Sequence, residues 1–133
     1  MTTPTAQPPA LAMLALAAQG AFAIGLLAVA VLSLAPVQTL PSLDLSDKIQ
    51  HALAYAFLAA TGCFGFGLTS LRAQIAVVVA LSVFGGVIEV LQPPLAGRTG
   101  TIADAIANQI GVALGWMLAR SAGSVMQRPR WSR

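Results

Sequence analysis

Residues 11–35 read LAMLALAAQGAFAIGLLAVAVLSLA, and no charged residue occurs anywhere from Met1 to Leu43. A helix of about 20 apolar residues crosses the hydrocarbon core of a bilayer. A secretory signal peptide is the competing interpretation, but it has a basic start and an apolar core of about 7–15 residues. This stretch has no basic start and a longer core. We therefore predict a transmembrane helix here.

The composition of the whole chain agrees with a membrane protein. Of its 133 residues, 57% are hydrophobic and 8% charged, and the mean hydropathy is +0.82. These values exclude a soluble globular domain, and they lack the high charge and low hydropathy of a disordered chain. The net charge of +3 rests on few charges, so we expect no nucleic-acid partner. The single cysteine, Cys63, excludes an intrachain disulfide.

Three further apolar stretches follow, separated by segments rich in proline, glycine and polar residues, which are typical of turns. The fold class is therefore all-α: a polytopic membrane protein forming a four-transmembrane-helix bundle. The spans are expected at residues 11–35, 47–68, 71–91 and 104–120. We expect a short mobile N-terminal segment at 1–10, one four-span membrane domain at 11–120 and a basic cytoplasmic tail at 121–133.

The distribution of charge predicts the orientation. With four spans both termini lie on one side of the membrane, and that side carries most of the basic residues: Arg72, Arg120, Arg128, Arg130 and Arg133, against Lys48 and Arg98 on the other. Basic residues favour the cytoplasmic side, so both termini are predicted to be cytoplasmic. The acids then lie at the outer side: Asp44, Asp47, Glu89 and Asp104.

Polar residues gather at the outer ends of the last three predicted helices. Residues four apart share a helix face, which places Asp47, His51 and Tyr55 together. Ionisable groups inside membrane helices face the bundle interior and mark functional sites. We predict one ligand-binding pocket lined by Asp47, Lys48, His51, Glu89, Gln92, Arg98, Asp104 and Asn108.

Several of these residues also have a purely structural interpretation. Thr101 and Asp104 have the spacing of a capping box, and Ser46 with Asp47 resembles a helix cap. A second structural feature is the Gly-x-x-x-Gly pair at Gly111 and Gly115, for which close helix packing is the favoured interpretation. For His51 a site role is favoured.

Glu89 needs a compensating group, because its predicted position at a helix C-terminus faces the negative end of the helix dipole. Arg98 is the preferred partner and Lys48 the other candidate. One imidazole with several carboxylates suggests a divalent metal, but no tight ligand spacing supports it, and we expect no metal and no cofactor. If a reaction occurs, its candidates are His51, Glu89 and Asp104.

The same residues resemble a known family. Segment 47–55, DKIQHALAY, resembles the Asp-Lys-x-x-His-x-x-x-Tyr signature of VanZ-like membrane proteins, and segment 89–92, EVLQ, resembles their Glu-x-x-Gln element. The resemblance spans about residues 45–120 and continues through Arg98, Asp104, Asn108 and Gly111. It implies a small bacterial inner-membrane protein of the cell envelope, in some members linked to resistance against glycopeptides such as teicoplanin. It leaves open whether the protein is an enzyme.

Two function classes follow as expectations. The first is binding or modification of a lipid-linked or peptidoglycan-derived ligand in the outer pocket, with membrane lipids or a lipid-linked cell-wall intermediate as partners. Helix N-termini with Lys48 and Arg98 suit its anionic groups, although the acids argue against a simple anion trap. The alternative is a non-catalytic accessory or assembly subunit that docks to other membrane protein subunits. A transporter is disfavoured, because the first span carries no ionisable group.

Overall fold

The structure is a computed structural model that describes residues 9–39, 45–67, 70–96 and 100–126. Within these ranges the chain forms four long helices and no strand. The helices are α1 (Pro9–Leu34), α2 (Asp47–Gly67), α3 (Leu71–Ala96) and α4 (Ile102–Met126), and a short 3-10 turn, Val37–Thr39, follows α1. Each of the four is long and apolar enough to cross a membrane. The prediction of an all-α, four-span bundle is therefore confirmed.

Hydroxyl side chains fix where three of the helices begin. The Oγ of Ser46 lies 3.4 Å from the backbone nitrogen of Ile49 at the start of α2. The Oγ of Ser70 lies 3.3 Å from the backbone nitrogen of Ala73 at the start of α3. The hydroxyl of Thr101 lies 3.2 Å from the backbone nitrogen of Asp104 at the start of α4. Each hydroxyl accepts a hydrogen bond from an amide that has no partner inside the helix, which stabilises the first turn.

The predicted end of the third span at Leu91 is wrong, because α3 continues through Pro93 and Pro94 to Ala96. A proline inside a helix removes one amide donor and leaves the carbonyl four residues earlier without its helical partner. The two prolines therefore remove two helical bonds, those to the carbonyls of Glu89 and Val90. Glu89 consequently lies about two turns inside α3, and the dipole argument for its compensation loses force.

The last helix also exceeds its predicted bounds. It begins at Ile102 and continues to Met126, past Arg120. The predictions for segments 1–8 and 127–133, including the arginines of the tail, lie outside the described residues, as do those for Asp44 and Arg98.

Helix α2 lies at the centre of the bundle, where α1, α3 and α4 all pack against it. Its closest neighbour is α4. A Cβ built at Gly111 would overlap the carbonyl oxygen of Ala52, and one built at Gly115 would overlap that of Ala56. The two glycines therefore let the backbones of α2 and α4 touch, and the packing interpretation of the Gly-x-x-x-Gly pair is confirmed.

Helices that follow one another in the chain run antiparallel, so α2 and α4 run parallel to each other and the bundle has two distinct ends. At one end the starts of α2 and α4 meet the last two turns of α3, through contacts such as His51 with Glu89. At the opposite end the start of α3 meets the last turns of α4, where the Trp116 indole donates a hydrogen bond to Gln74. Between them lies an apolar core of Tyr55, Leu58, Ala59, Leu81 and Val112.

Candidate functional site

Six of the eight predicted site residues lie together at the first of these ends. Asp47, Lys48 and His51 come from the first two turns of α2, Asp104 and Asn108 from those of α4, and Glu89 from α3. Hydrogen bonds and ion pairs connect them. We call this group the polar cluster: Asp47, Lys48, His51, Glu89, Asp104 and Asn108. Of the other two, Gln92 lies one turn beyond Glu89, and Arg98 is outside the described residues.

Asn108 joins three helices at the centre of the polar cluster. Its side chain is 1% exposed. Its Nδ2 donates a hydrogen bond to Oε1 of Glu89 at 3.2 Å, and its Oδ1 lies 3.0 Å from Nδ1 of His51. The amide thereby links α3 and α2 through α4, and both of its ends have a partner.

This arrangement determines which nitrogen of His51 carries a hydrogen. A carbonyl oxygen only accepts hydrogen bonds, so Nδ1 of His51 donates to Asn108. In the neutral ring the other nitrogen, Nε2, then holds a lone pair. Nε2 lies 3.9 Å from Oδ2 of Asp47, which is beyond hydrogen-bonding distance. Asn108 thus orients the imidazole so that Nε2 is available to a ligand.

Asp104 performs the structural role expected of a capping box. Its Oδ2 accepts hydrogen bonds from the hydroxyl of Thr101 at 2.6 Å and from the Thr101 amide at 3.3 Å, while its own amide donates to that hydroxyl. Its second oxygen, Oδ1, lies 3.7 Å from Nζ of Lys48. The Lys48 side chain is 59% exposed, so this ion pair contributes little to stability. The capping interpretation of Asp104 is therefore confirmed.

The groups next to the Glu89 carboxylate are an amide and an imidazole rather than a lysine or arginine. Besides Asn108, the nearest ionisable group is His51, whose Nδ1 lies 3.7 Å from Oε1. Lys48 forms its ion pair with Asp104 rather than with Glu89. The pairing with Arg98 stays a prediction. Gly100 covers the other carboxylate oxygen, because a Cβ there would come within 2.9 Å of Oε2 of Glu89.

Buried hydrogen-bonding groups without a partner concentrate around the polar cluster. Among the described residues, four buried side-chain atoms have no hydrogen bond, and they are the Tyr55 hydroxyl, Oε2 of Glu89, Nε2 of Gln92 and Oδ1 of Asp104. Two of them are donors and two are acceptors. A buried polar group without a partner costs about 1–3 kcal/mol, so each of these four atoms calls for an explanation.

Tyr55 was not among the predicted site residues. Its ring is 1% exposed, and its hydroxyl lies against Gly85 of α3. The signal for it was present in the sequence, because Tyr55 follows His51 by four residues and shares its face of α2. A buried tyrosine normally finds a partner for its hydroxyl, so the unpaired oxygen marks this residue as part of the site.

The polar cluster is an acidic environment. Its described residues include three carboxylates against one lysine, and adding Arg98 would leave the acids in excess. No group of three or more His, Cys, Asp or Glu side chains in the described ranges is placed to hold a metal ion. The arrangement suits a ligand that presents hydrogen-bond donors or a positive charge.

The opposite end of the bundle has a different character. The indole of Trp116 donates to Oε1 of Gln74 at 3.1 Å, and Arg120 lies over the same indole ring at 5.5 Å. Gln19 of α1 donates to the carbonyl of Gly65 at 2.9 Å. Within the described ranges no buried side-chain nitrogen or oxygen lacks a partner at this end.

Comparisons with protein families, curated proteins and solved structures find no match to this chain. The functional argument therefore rests on the arrangement of its residues. The described residues form an α-helical bundle of membrane-spanning length, and at one end of it several buried polar atoms have no hydrogen bond.

Proposed function

We propose that this chain is a VanZ-like protein of the bacterial inner membrane whose polar cluster is an extracytoplasmic pocket for a lipid-linked or peptidoglycan-derived ligand of the cell envelope. The observation that carries this proposal is the set of four buried side-chain atoms on and next to the polar cluster that have no hydrogen bond. A ligand with both donors and acceptors completes their hydrogen bonds.

The contrast between the two ends supports binding over simple bundle stabilisation. At the opposite end a few polar side chains fasten the helices and pair fully, as Gln74 and Trp116 do. Around the polar cluster three helices meet, yet Glu89 and Asp104 each keep one oxygen without a hydrogen bond. Polar groups that only fasten helices are normally satisfied by one another.

The charge distribution supports an outward orientation of the pocket. Among the described residues, Arg72 and Arg120 lie at the opposite end of the bundle, and all three acids lie in the polar cluster. Basic residues favour the cytoplasmic side, which orients the polar cluster toward the cell envelope and both termini toward the cytoplasm.

Binding is proposed ahead of catalysis. The free lone pair on Nε2 of His51, with Nδ1 held by Asn108, has the form of a general base. However, none of the six residues of the polar cluster is a serine, threonine or cysteine. The neighbouring Thr101 hydroxyl is engaged in capping α4, and Cys63 is buried three turns away on α2. The residues therefore support recognition directly and chemistry only through a ligand's own reactive group.

The accessory-subunit alternative would be favoured by small-residue helix faces left free to dock another membrane protein. Gly111 and Gly115 do not provide such a face, because they are covered by α2 of the same chain. Leucine at either glycine would therefore damage the fold under both hypotheses. His51 is the better discriminating position.

The test is the phenotype of His51→Ala in the native host, read as envelope stress and glycopeptide susceptibility and normalised to membrane abundance. We expect the His51→Ala strain to show the envelope stress and glycopeptide susceptibility of a deletion strain, while the abundance of the protein in the membrane is unchanged. Gln50→Ala is the matched control, because Gln50 is on the same turn of α2 and bonds only locally, to the carbonyl of Leu45. A His51→Ala strain that behaves as wild type at normal abundance refutes the pocket.

A further inference from the structure

A groove between α3 and α4 runs beside the polar cluster. It has a volume of about 440 Å³ and is open along one side. Its walls are glycines 85 and 86 with Ser82 on α3, and mainly isoleucine and alanine on α4 between Ile102 and Ala113. Asn108, which holds His51 and Glu89, also lines it.

The packing of α4 explains the groove. Gly111 and Gly115 draw α4 against α2, and α4 packs much less extensively with α3. On the α3 side, Gly85 and Gly86 contribute no side chains to fill the space. A Cβ at Gly85 would meet the Tyr55 ring at 3.1 Å, whereas one at Gly86 would meet nothing within 4 Å.

The length of the groove matches one leaflet. From Ile102 to Ala113 the helical rise amounts to about 16 Å, which is close to half of a hydrocarbon core about 30 Å thick. Because α4 is long enough to cross a bilayer, a groove along its first half would extend from the membrane edge to near the midplane. Its apolar wall lies on the outside of the bundle, with Ile106 and Ile110 each about half exposed.

From these features we propose that the groove holds a hydrocarbon chain of a membrane lipid from the leaflet at the polar end, and that the lipid's headgroup donates hydrogen bonds from a primary ammonium group to the polar cluster. The chain fits the length and the apolar wall. The ammonium fits the excess of carboxylates, and Oε2 of Glu89 has no hydrogen bond in the described part of the chain. This inference rests on the proposed function, since both use the polar cluster, and it specifies the ligand as an amphiphile that enters laterally from the bilayer.

The test is photolabelling of the full-length protein in phosphatidylcholine vesicles that contain a trace of lipid with a diazirine in its acyl chain. The probes are phosphatidylethanolamine, phosphatidylcholine and phosphatidylglycerol with the same chain. We expect labels to concentrate on the groove residues of α4 rather than on the exposed face of α1. An ammonium–carboxylate contact at a partly exposed site predicts a preference of about two- to fivefold for the ethanolamine probe.

Gly86→Leu fills the groove, and Ala113→Leu fills it from the α4 side, so each should reduce groove labelling to the α1 level. Gly20→Leu is the matched control, because Gly20 lies within α1 and a Cβ there also meets nothing within 4 Å. Labelling that is equal on α1 and in the groove, or that survives both fillers, overturns the groove assignment. Equal labelling by the three headgroups overturns the ammonium assignment.

The readout is lipid contact and does not use the envelope phenotype. If the groove is labelled but the His51→Ala strain behaves as wild type, the proposed function alone is refuted. If the His51→Ala strain behaves as a deletion strain but labelling is uniform over the helices, the groove assignment alone is refuted.

Discussion

Nδ1 of His51 and Oδ1 of Asn108 lie 3.0 Å apart, and this buried contact joins the second turns of α2 and α4 through two residues that are 57 positions apart in the chain. Through the second half of its amide, Asn108 extends the connection to Glu89 on a third helix. A single asparagine thus sets the orientation of both ionisable groups at the centre of the polar cluster.

Replacing Asn108 should uncouple these groups. We expect Asn108→Ala to lower the free energy of unfolding by about 1–3 kcal/mol, because it leaves Nδ1 of His51 and Oε1 of Glu89 without their partner. The measurement is thermal unfolding in detergent micelles for Asn108→Ala, His51→Ala and the double variant. The double variant should lose less than the sum of the two single losses. Strict additivity would show that the two side chains do not interact.

The contact between α2 and α4 should tolerate no added methyl group. We expect Gly111→Ala and Gly115→Ala each to destabilise the protein by about 1–3 kcal/mol or more, since the new Cβ overlaps a backbone carbonyl that has no room to move. Gly20→Ala and Gly86→Ala are controls, because their Cβ atoms would meet nothing within 4 Å. If all four variants melt at the same temperature, the close approach of the helices is wrong.

The hydroxyl of Thr101, which caps α4, should affect stability and leave ligand binding intact. Thr101→Ala removes the hydroxyl that bonds both the amide and the carboxylate of Asp104, at a cost of about 1 kcal/mol, and Thr101→Ser should restore most of it. Asp104→Ala should lower stability and yield by a similar amount. The comparison is melting temperature beside envelope phenotype. A Thr101→Ala variant that loses its phenotype at full stability and abundance would place this residue in the site instead.

The orientation of the bundle is open to a chemical test. We expect Gln38→Cys, in the turn after α1, to react with a membrane-impermeant maleimide added to intact cells, and Ser124→Cys, near the end of α4, to react only after permeabilisation. Both residues are exposed. The native Cys63 is fully buried and should give no background. The opposite pattern of labelling would place the polar cluster at the cytoplasmic face.

The sequence was informative where periodicity decides the outcome. Spacings of four residues place His51 and Tyr55 on one face of α2, and Asp104 and Asn108 on one face of α4, whatever the rest of the chain does. Uncharged stretches of sufficient length likewise fix the number of spans.

Features that depend on how helices rotate and approach each other were not predictable in this way. Lys48 pairs with Asp104 rather than with Glu89 because the starts of α2 and α4 adjoin, which the glycine contacts determine. The continuation of α3 through Pro93 and Pro94 was missed because a double proline normally marks a turn. The groove arises because α4 packs closely against α2 and much less extensively against α3. That difference is a property of the packed bundle and could not be read from the sequence.

The central claim, that the polar cluster binds a ligand, is tested most directly on His51, the only histidine in the chain. Protein labelled with ¹⁵N-histidine gives one pair of imidazole resonances, without any need for assignment. Their chemical shifts should be measured by solid-state NMR in membranes of the native host and after delipidation and reconstitution into phosphatidylcholine. We expect Nδ1 to keep the signature of a protonated, hydrogen-bonded nitrogen in both samples, and the Nε2 resonance to differ between them. Identical Nε2 resonances in the two samples would mean that nothing from the native membrane reaches the polar cluster, and would contradict the claim.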